Sequence, residues 1–87
     1  LAITDPAGWT ADAGNTTEAA KQWKEGDTVT LTWTKTEATA SVTSATVTGA
    51  TKDSENITND GTDTTVEVTI TIDTVAANST NITVALA

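Results

Sequence analysis

Threonine and branched apolar residues alternate strictly along two stretches of the chain, Thr28-Val29-Thr30-Leu31-Thr32-Trp33-Thr34 and Val66-Glu67-Val68-Thr69-Ile70-Thr71-Ile72. Side chains of an extended strand point alternately to opposite faces, so each run is a strand with one apolar and one hydroxyl face. A helix would scatter the same residues around its circumference and leave no face to bury. Threonine supplies 23 of the 87 residues, and its branched Cβ favours a pleated surface. The expectation is an all-β domain, one unit over residues 1–87, with two thin sheets packed face to face. Trp23 and Trp33 are the largest available fillers, because Phe, Tyr and Met are absent.

Turn residues divide the chain further. Leu1-Ala2-Ile3-Thr4 reads as a short strand closed by Asp5-Pro6-Ala7-Gly8, where Pro presets φ and Gly permits a turn. Residues 9–20 are small, polar and aperiodic, and read as a loop with room for one helical turn at 16–21. The first long strand spans about residues 27–36 with Val29, Leu31 and Trp33 inward. A strand at 40–48 carries Val42, Ala45 and Val47, and the change of parity predicts a bulge or bend. The polar stretch Thr51 to Asp63 holds a short edge strand at Glu55 to Thr58. A strand with Val66, Val68, Ile70 and Ile72 inward follows, then a connection at 75–79 and a last strand with Ile82, Val84 and Leu86 inward.

A formal charge of −8, from 12 acidic residues against 4 Lys, repels nucleic acid, which needs clustered positive charge. No apolar run is long enough to span a membrane as a helix, so no membrane insertion is expected. Four Asn-x-Ser/Thr patterns, at Asn15, Asn56, Asn78 and Asn81, are glycan acceptors if the chain lies outside the cell, although abundant threonine also generates them by chance. The chain opens on Leu1 and contains no Met. The expected location is therefore extracellular or at the cell surface, after removal of a signal peptide.

The segment Trp23-Lys24-Glu25-Gly26-Asp27-Thr28-Val29-Thr30-Leu31-Thr32-Trp33-Thr34 resembles the aromatic-x-x-Gly-Asp-Thr-Val-Thr-Leu-Thr-aromatic stretch of immunoglobulin-like modules in bacterial and archaeal secreted surface proteins. Ser44-Ala45-Thr46-Val47-Thr48-Gly49-Ala50 is similar to their next strand. The resemblance covers roughly residues 20–87 and implies an immunoglobulin-like antiparallel β-sandwich of about six to seven strands. In that family a final strand follows the segment matching Asn81-Ile82-Thr83-Val84-Ala85-Leu86, and here the chain stops at Ala87. The expectation is a sandwich lacking one strand, which a neighbouring subunit supplies.

An open sheet edge templates pairing with another chain. The donor strand is Leu1, Ala2, Ile3 and Thr4, with residues 1–8 as strand plus linker, and the acceptor groove is lined by Ile82, Val84 and Leu86. Head-to-tail donation need not close, so it builds a filament, a homopolymer of copies of this chain. The competing reading keeps Leu1 to Thr4 as the first strand of its own domain, in one immunoglobulin-like repeat of a cell-surface adhesin or surface-layer stalk.

Catalysis lacks its usual groups. His and Cys are absent, and a Ser or Thr nucleophile has only Lys or carboxylate as a base, so no enzyme is expected. An isopeptide bond from Lys35 to an Asn is conceivable chemistry, but no spacing selects a partner. Oxygen ligands cluster at Asp53, Glu55, Asn59, Asp60 and Asp63, a set suited to Ca²⁺ but lacking the terminal Glu of an EF-hand loop; the same residues are ordinary turn formers. A last alternative is the threonine face as a carbohydrate- or ice-surface-binding module, with rows interrupted by Lys35, Glu67 and Asp73.

Overall fold

The computed structural model describes residues 2–12, 23–73 and 81–87. Among them are seven strands and no helix: β1 (Ala2–Thr4), β2 (Thr10–Ala11), β3 (Thr28–Thr36), β4 (Ala45–Thr48), β5 (Thr51–Asn59), β6 (Asp63–Thr71) and β7 (Asn81–Leu86). They form a three-stranded sheet ordered β1-β7-β4 and a four-stranded sheet ordered β2-β3-β6-β5. Every pairing is antiparallel except that of β1 with β7, which is parallel.

The two alternating runs are adjacent strands. β3 and β6 pair in register over their whole length, Leu31 opposite Val68 and Trp33 opposite Val66, so their apolar faces coincide. Leu31, Trp33, Val66, Val68 and Ile70 from this sheet meet Ala45, Ile82 and Val84 from the other, all 3% exposed or less. Each Val, Leu or Ile among them contributes about 1.5–3 kcal/mol by leaving water. Ile72 lies just beyond β6 yet is 1% exposed, because its N–H donates to Asp27 O (2.9 Å) and its C=O accepts from Gly26 N–H (2.8 Å). The Gly26-Asp27 turn thus extends the β3–β6 ladder. Trp23 packs partly buried against the core.

Three expectations need correction. The strand foreseen at 40–48 begins only at Ala45. Upstream, Ser41 N–H and Oγ both donate to Glu37 (3.0 and 3.1 Å), and Thr43 and Ser44 N–H donate to Ala87 O, so these residues make local closures and not a ladder. Val42 therefore stands outside the strand, and its parity signals no bulge. The irregularity lies in β5, between Lys52 and Ser54. β5 itself runs nine residues, not four, because its hydrogen bonds to β6 require no apolar alternation, and all but Ile57 are exposed. The third correction is β2, two residues inside the segment read as a loop. The helical turn foreseen at 16–21 and the connection at 75–79 lie outside the described residues.

Candidate functional site: the N-terminal arm and the sheet edges

One side of the core is closed by the N-terminal arm. β1 lies on the chain's own β7, Ala2 beside Asn81, Ile3 beside Ile82 and Thr4 beside Thr83. Ile3 packs on the core. The Asn81 amide donates to Thr4 Oγ1 (2.9 Å) and to Thr83 Oγ1 (3.0 Å), pinning the end of β1. The next residue, Asp5, accepts a 2.8 Å hydrogen bond from the indole N–H of Trp33, the largest fully buried side chain. A turn follows, with Trp9 N–H donating to Pro6 O and Gly8 at φ +85°. The Lys35 ammonium lies 5.8 Å from the Trp9 ring centroid. β2 then pairs with Trp33 and Thr34 of the second sheet, and Asp12 N–H donates to Thr32 O (3.0 Å). The arm thus straps one sheet to the other.

Of the donor residues inferred from sequence, Ala2, Ile3 and Thr4 are therefore found on the chain's own β7, and Leu1 lies outside the described residues. Of the acceptor residues, Ile82 and Val84 are in the core and Leu86 is half-buried. β1 covers only Asn81 to Thr83. Beside Val84, Ala85 and Leu86 no strand among the described residues pairs on that side of β7.

The opposite side is closed by side chains. β5 places Lys52 and Glu55 on its inward positions, opposite Ile70 and Val68. Glu55 Oε2 accepts from the Ala45 N–H (2.6 Å), Lys52 Nζ donates to the Ala45 C=O (2.8 Å), and the two side chains meet at 3.1 Å. The Ala45 N–H, followed by Lys52, holds the Glu55 carboxyl below the ordinary glutamate value against a smaller opposing effect of burial.

The structure does not gather the oxygen ligands suggested for calcium. Glu55 is engaged as described, and Asp53 accepts from Thr71 Oγ1 (2.6 Å). Asn59 donates to Glu37 O and Thr64 Oγ1 and accepts from the Gly61 N–H. Asp60 accepts the N–H groups of Asp63 (2.7 Å) and Thr62 (2.8 Å), closing the β5–β6 turn. Asp63 begins β6. No group of three acidic residues among the described residues is placed to hold an ion.

Of the four glycan-acceptor patterns, Asn15 and Asn78 lie outside the described residues. Asn56 is exposed in mid β5, with the Thr58 of its pattern exposed two residues on and facing the same way, whereas the Asn81 amide is engaged with Thr4 and Thr83. The threonine face is more regular than expected. Across β3, β6 and β5 its rungs read Thr28, Thr71, Thr51; Thr30, Thr69, Ser54; Thr32, Glu67, Asn56; and Thr34, Thr65, Thr58. Lys35 falls on the other parity, opposite Thr64, whereas Glu67 stands within the third rung and the Asp73 carboxylate accepts from Thr51 Oγ1 (2.7 Å) at the first.

Among the described residues, three carboxyls are held below their ordinary values. In Asp60 the cause is the N–H groups of Asp63 and Thr62; Glu55 has the partners given above. In Glu37 burial pulls upward, and hydrogen bonds from Thr64 and Ser41, with Lys35 nearby, more than reverse it. A lowered folded pKa gives stability that is fully present above the unfolded value, about 4, and is lost as pH falls through the folded value. Acid also relieves repulsion in a chain of charge −8, so the effect is read as a difference. Asp60→Asn keeps the turn acceptor and removes one titration, and its Tm should fall less between pH 4 and 2.5 than that of the unsubstituted chain. Parallel Tm curves would contradict this.

Compared with known family models, characterised proteins and solved structures, the chain matches none.

Proposed function

We propose that this chain is an immunoglobulin-like structural module that assembles head to tail outside the cell, with β1 as the strand exchanged between copies. The pairing scheme supports the fold. β2-β3-β6-β5 follows the A-B-E-D order of such sandwiches, and β4 beside β7 follows C beside F. The place next to F, where an antiparallel strand G belongs, is taken by β1 running parallel.

The observation that carries the assembly reading is how little of that place β1 fills. Three residues lie along a six-residue β7, and the Asp5-to-Gly8 leash, with its positive-φ glycine, provides a hinge between β1 and β2. A copy that lends β1 to its neighbour remakes the same Ile3 and Thr4 contacts there, so exchange costs little beyond association. The contact is heterologous, and where its rotation does not close a ring it extends to a filament. Ile3→Asp removes the apolar anchor of β1. The intact chain should form polymers visible by negative-stain microscopy, and Ile3→Asp should remain monomeric with its strand circular dichroism retained. Polymers of equal length from both chains would refute the reading.

Two observations favour other readings. β1 already rests on its own β7, as it would in a module strung along an adhesin or surface-layer stalk; that module would stay monomeric at every concentration. The hydroxyl rungs suit a carbohydrate or ice surface, for which thermal hysteresis and glycan-array binding are the assays. If the chain is exported to a glycosylating environment, Asn56 is expected to carry the glycan and Asn81 none, because a glycosylated amide keeps one N–H and cannot donate to both Thr4 and Thr83. Peptide mass spectrometry of protein from its own cells reads this, and an occupied Asn81 would contradict it.

A further inference from the structure

We infer that Lys52 and Glu55 form an edge guard on β4, whose role is to deny that edge to a second copy and leave β7 as the side of the sheet open to strand addition; this rests on the assembly reading above. The antiparallel register makes the case. Ser44 and Ala87 exchange hydrogen bonds, N–H to C=O in both directions (3.2 and 3.1 Å). Since bonded and non-bonded pairs alternate along an antiparallel ladder, Ala45 and Val47 turn their N–H and C=O away from β7, toward the free edge. An added strand would need those groups. At Ala45 they are already taken: the Glu55 carboxylate accepts the N–H and the Lys52 ammonium donates to the C=O.

The donor and acceptor that a strand would present are here supplied by two side chains three residues apart, bound to each other at 3.1 Å. The β5 bulge between Lys52 and Ser54 shifts the parity so that both face inward. Inward charges and a bulge on an edge strand are the devices that block edge-to-edge pairing, and here one pair guards two edges, β5's own and that of β4. Among the described residues no side-chain pair takes up the free edge of β7 in this way at Val84, Ala85 and Leu86, beyond the stretch that β1 covers.

The occupant excluded is β4 of a second copy. Two β4 edges meeting through Ala45 and Val47 would place Thr46 opposite Thr46 in a non-bonded pair, with Cα atoms about 4.5 Å apart, within disulfide reach. Thr46 is exposed. The test uses the full chain carrying Ile3→Asp, which removes head-to-tail assembly, and Thr46→Cys, with the guard intact or with Lys52→Ala and Glu55→Ala. Under mild oxidation the guardless chain should form disulfide dimers at least about ten times faster. Lys52→Met, which keeps the aliphatic stem but loses the donor, should fall between and covers the case in which the double variant fails to fold. Equal dimer rates in folded chains with and without the guard would overturn the inference. Because every chain in this test carries Ile3→Asp, failure of the head-to-tail reading would leave its result unchanged.

Discussion

Trp33→Ala is expected to remove about 3–5 kcal/mol of stability, a large share of the roughly 4–13 kcal/mol available to a chain of this length. Trp33 is 0% exposed and is the largest fully buried side chain, so its removal leaves a cavity between the sheets. It also removes the partner of Asp5, the residue that follows β1. Two milder changes separate packing from hydrogen bonding. Asp5→Ala leaves a buried indole N–H without its acceptor, at about 1–3 kcal/mol, whereas the same change in a Trp33→Phe background has no indole to orphan. Urea melts of the four chains give the coupling, and an Asp5→Ala cost identical in both backgrounds would remove the bond from the account.

Gly49→Ala is the second large effect, on the order of 3 kcal/mol or more when left-handed backbone strain and overpacking are combined. Gly49 joins β4 to β5 at φ +94°, and a Cβ there would collide with the main-chain carbonyl of Asn81 at the start of β7. No flexible side chain is available to yield, so the turn or β7 must shift. Because Asn81 also holds Thr4, the damage should reach the arm. Gly61, in the β5–β6 turn, has a similar φ of +88° but open space around its Cβ position. Gly61→Ala should therefore cost only the strain, about 1–3 kcal/mol. Equal losses in thermal melts of the two variants would show that close approach at Gly49 contributes nothing.

The elements legible in the sequence are those whose own residues decide them. β3 and β6 announce themselves because each buries one face, and a period of two is the trace burial leaves. β5 leaves no such trace: it is an edge strand whose inward positions are occupied mainly by Lys52, Glu55 and Asn59, so only its ladder to β6 makes it a strand. Val42 misled by being apolar outside any ladder.

The candidate site divides in the same way. That Ala2 to Thr4 form a strand followed by a leash could be read from Ile3, Pro6 and Gly8, but its partner and direction depend on β7, nearly 80 residues later. The Asp5 bond to Trp33 spans 28 positions, and no local pattern encodes it. Lys52 and Glu55 carried a faint signal in their i, i+3 spacing, which reads as a surface ion pair until the bulge turns both inward. The acidic cluster looked like a cation site because turns and calcium loops draw on the same residues; in the structure most of these side chains bond to neighbouring protein groups.

Strand exchange is tested most directly by mixing two single-cysteine chains, Thr4→Cys and Thr83→Cys, at positions that face each other between β1 and β7. Neither chain can form that disulfide within itself. If β1 is lent from copy to copy in the register seen here, oxidation of the mixture should give a disulfide heterodimer carrying one of each chain, at a yield well above that of the mixture carrying Ile3→Asp. If β1 always stays on its own β7, the heterodimer should be no more abundant than in the Ile3→Asp control, and that result would contradict head-to-tail assembly by strand exchange.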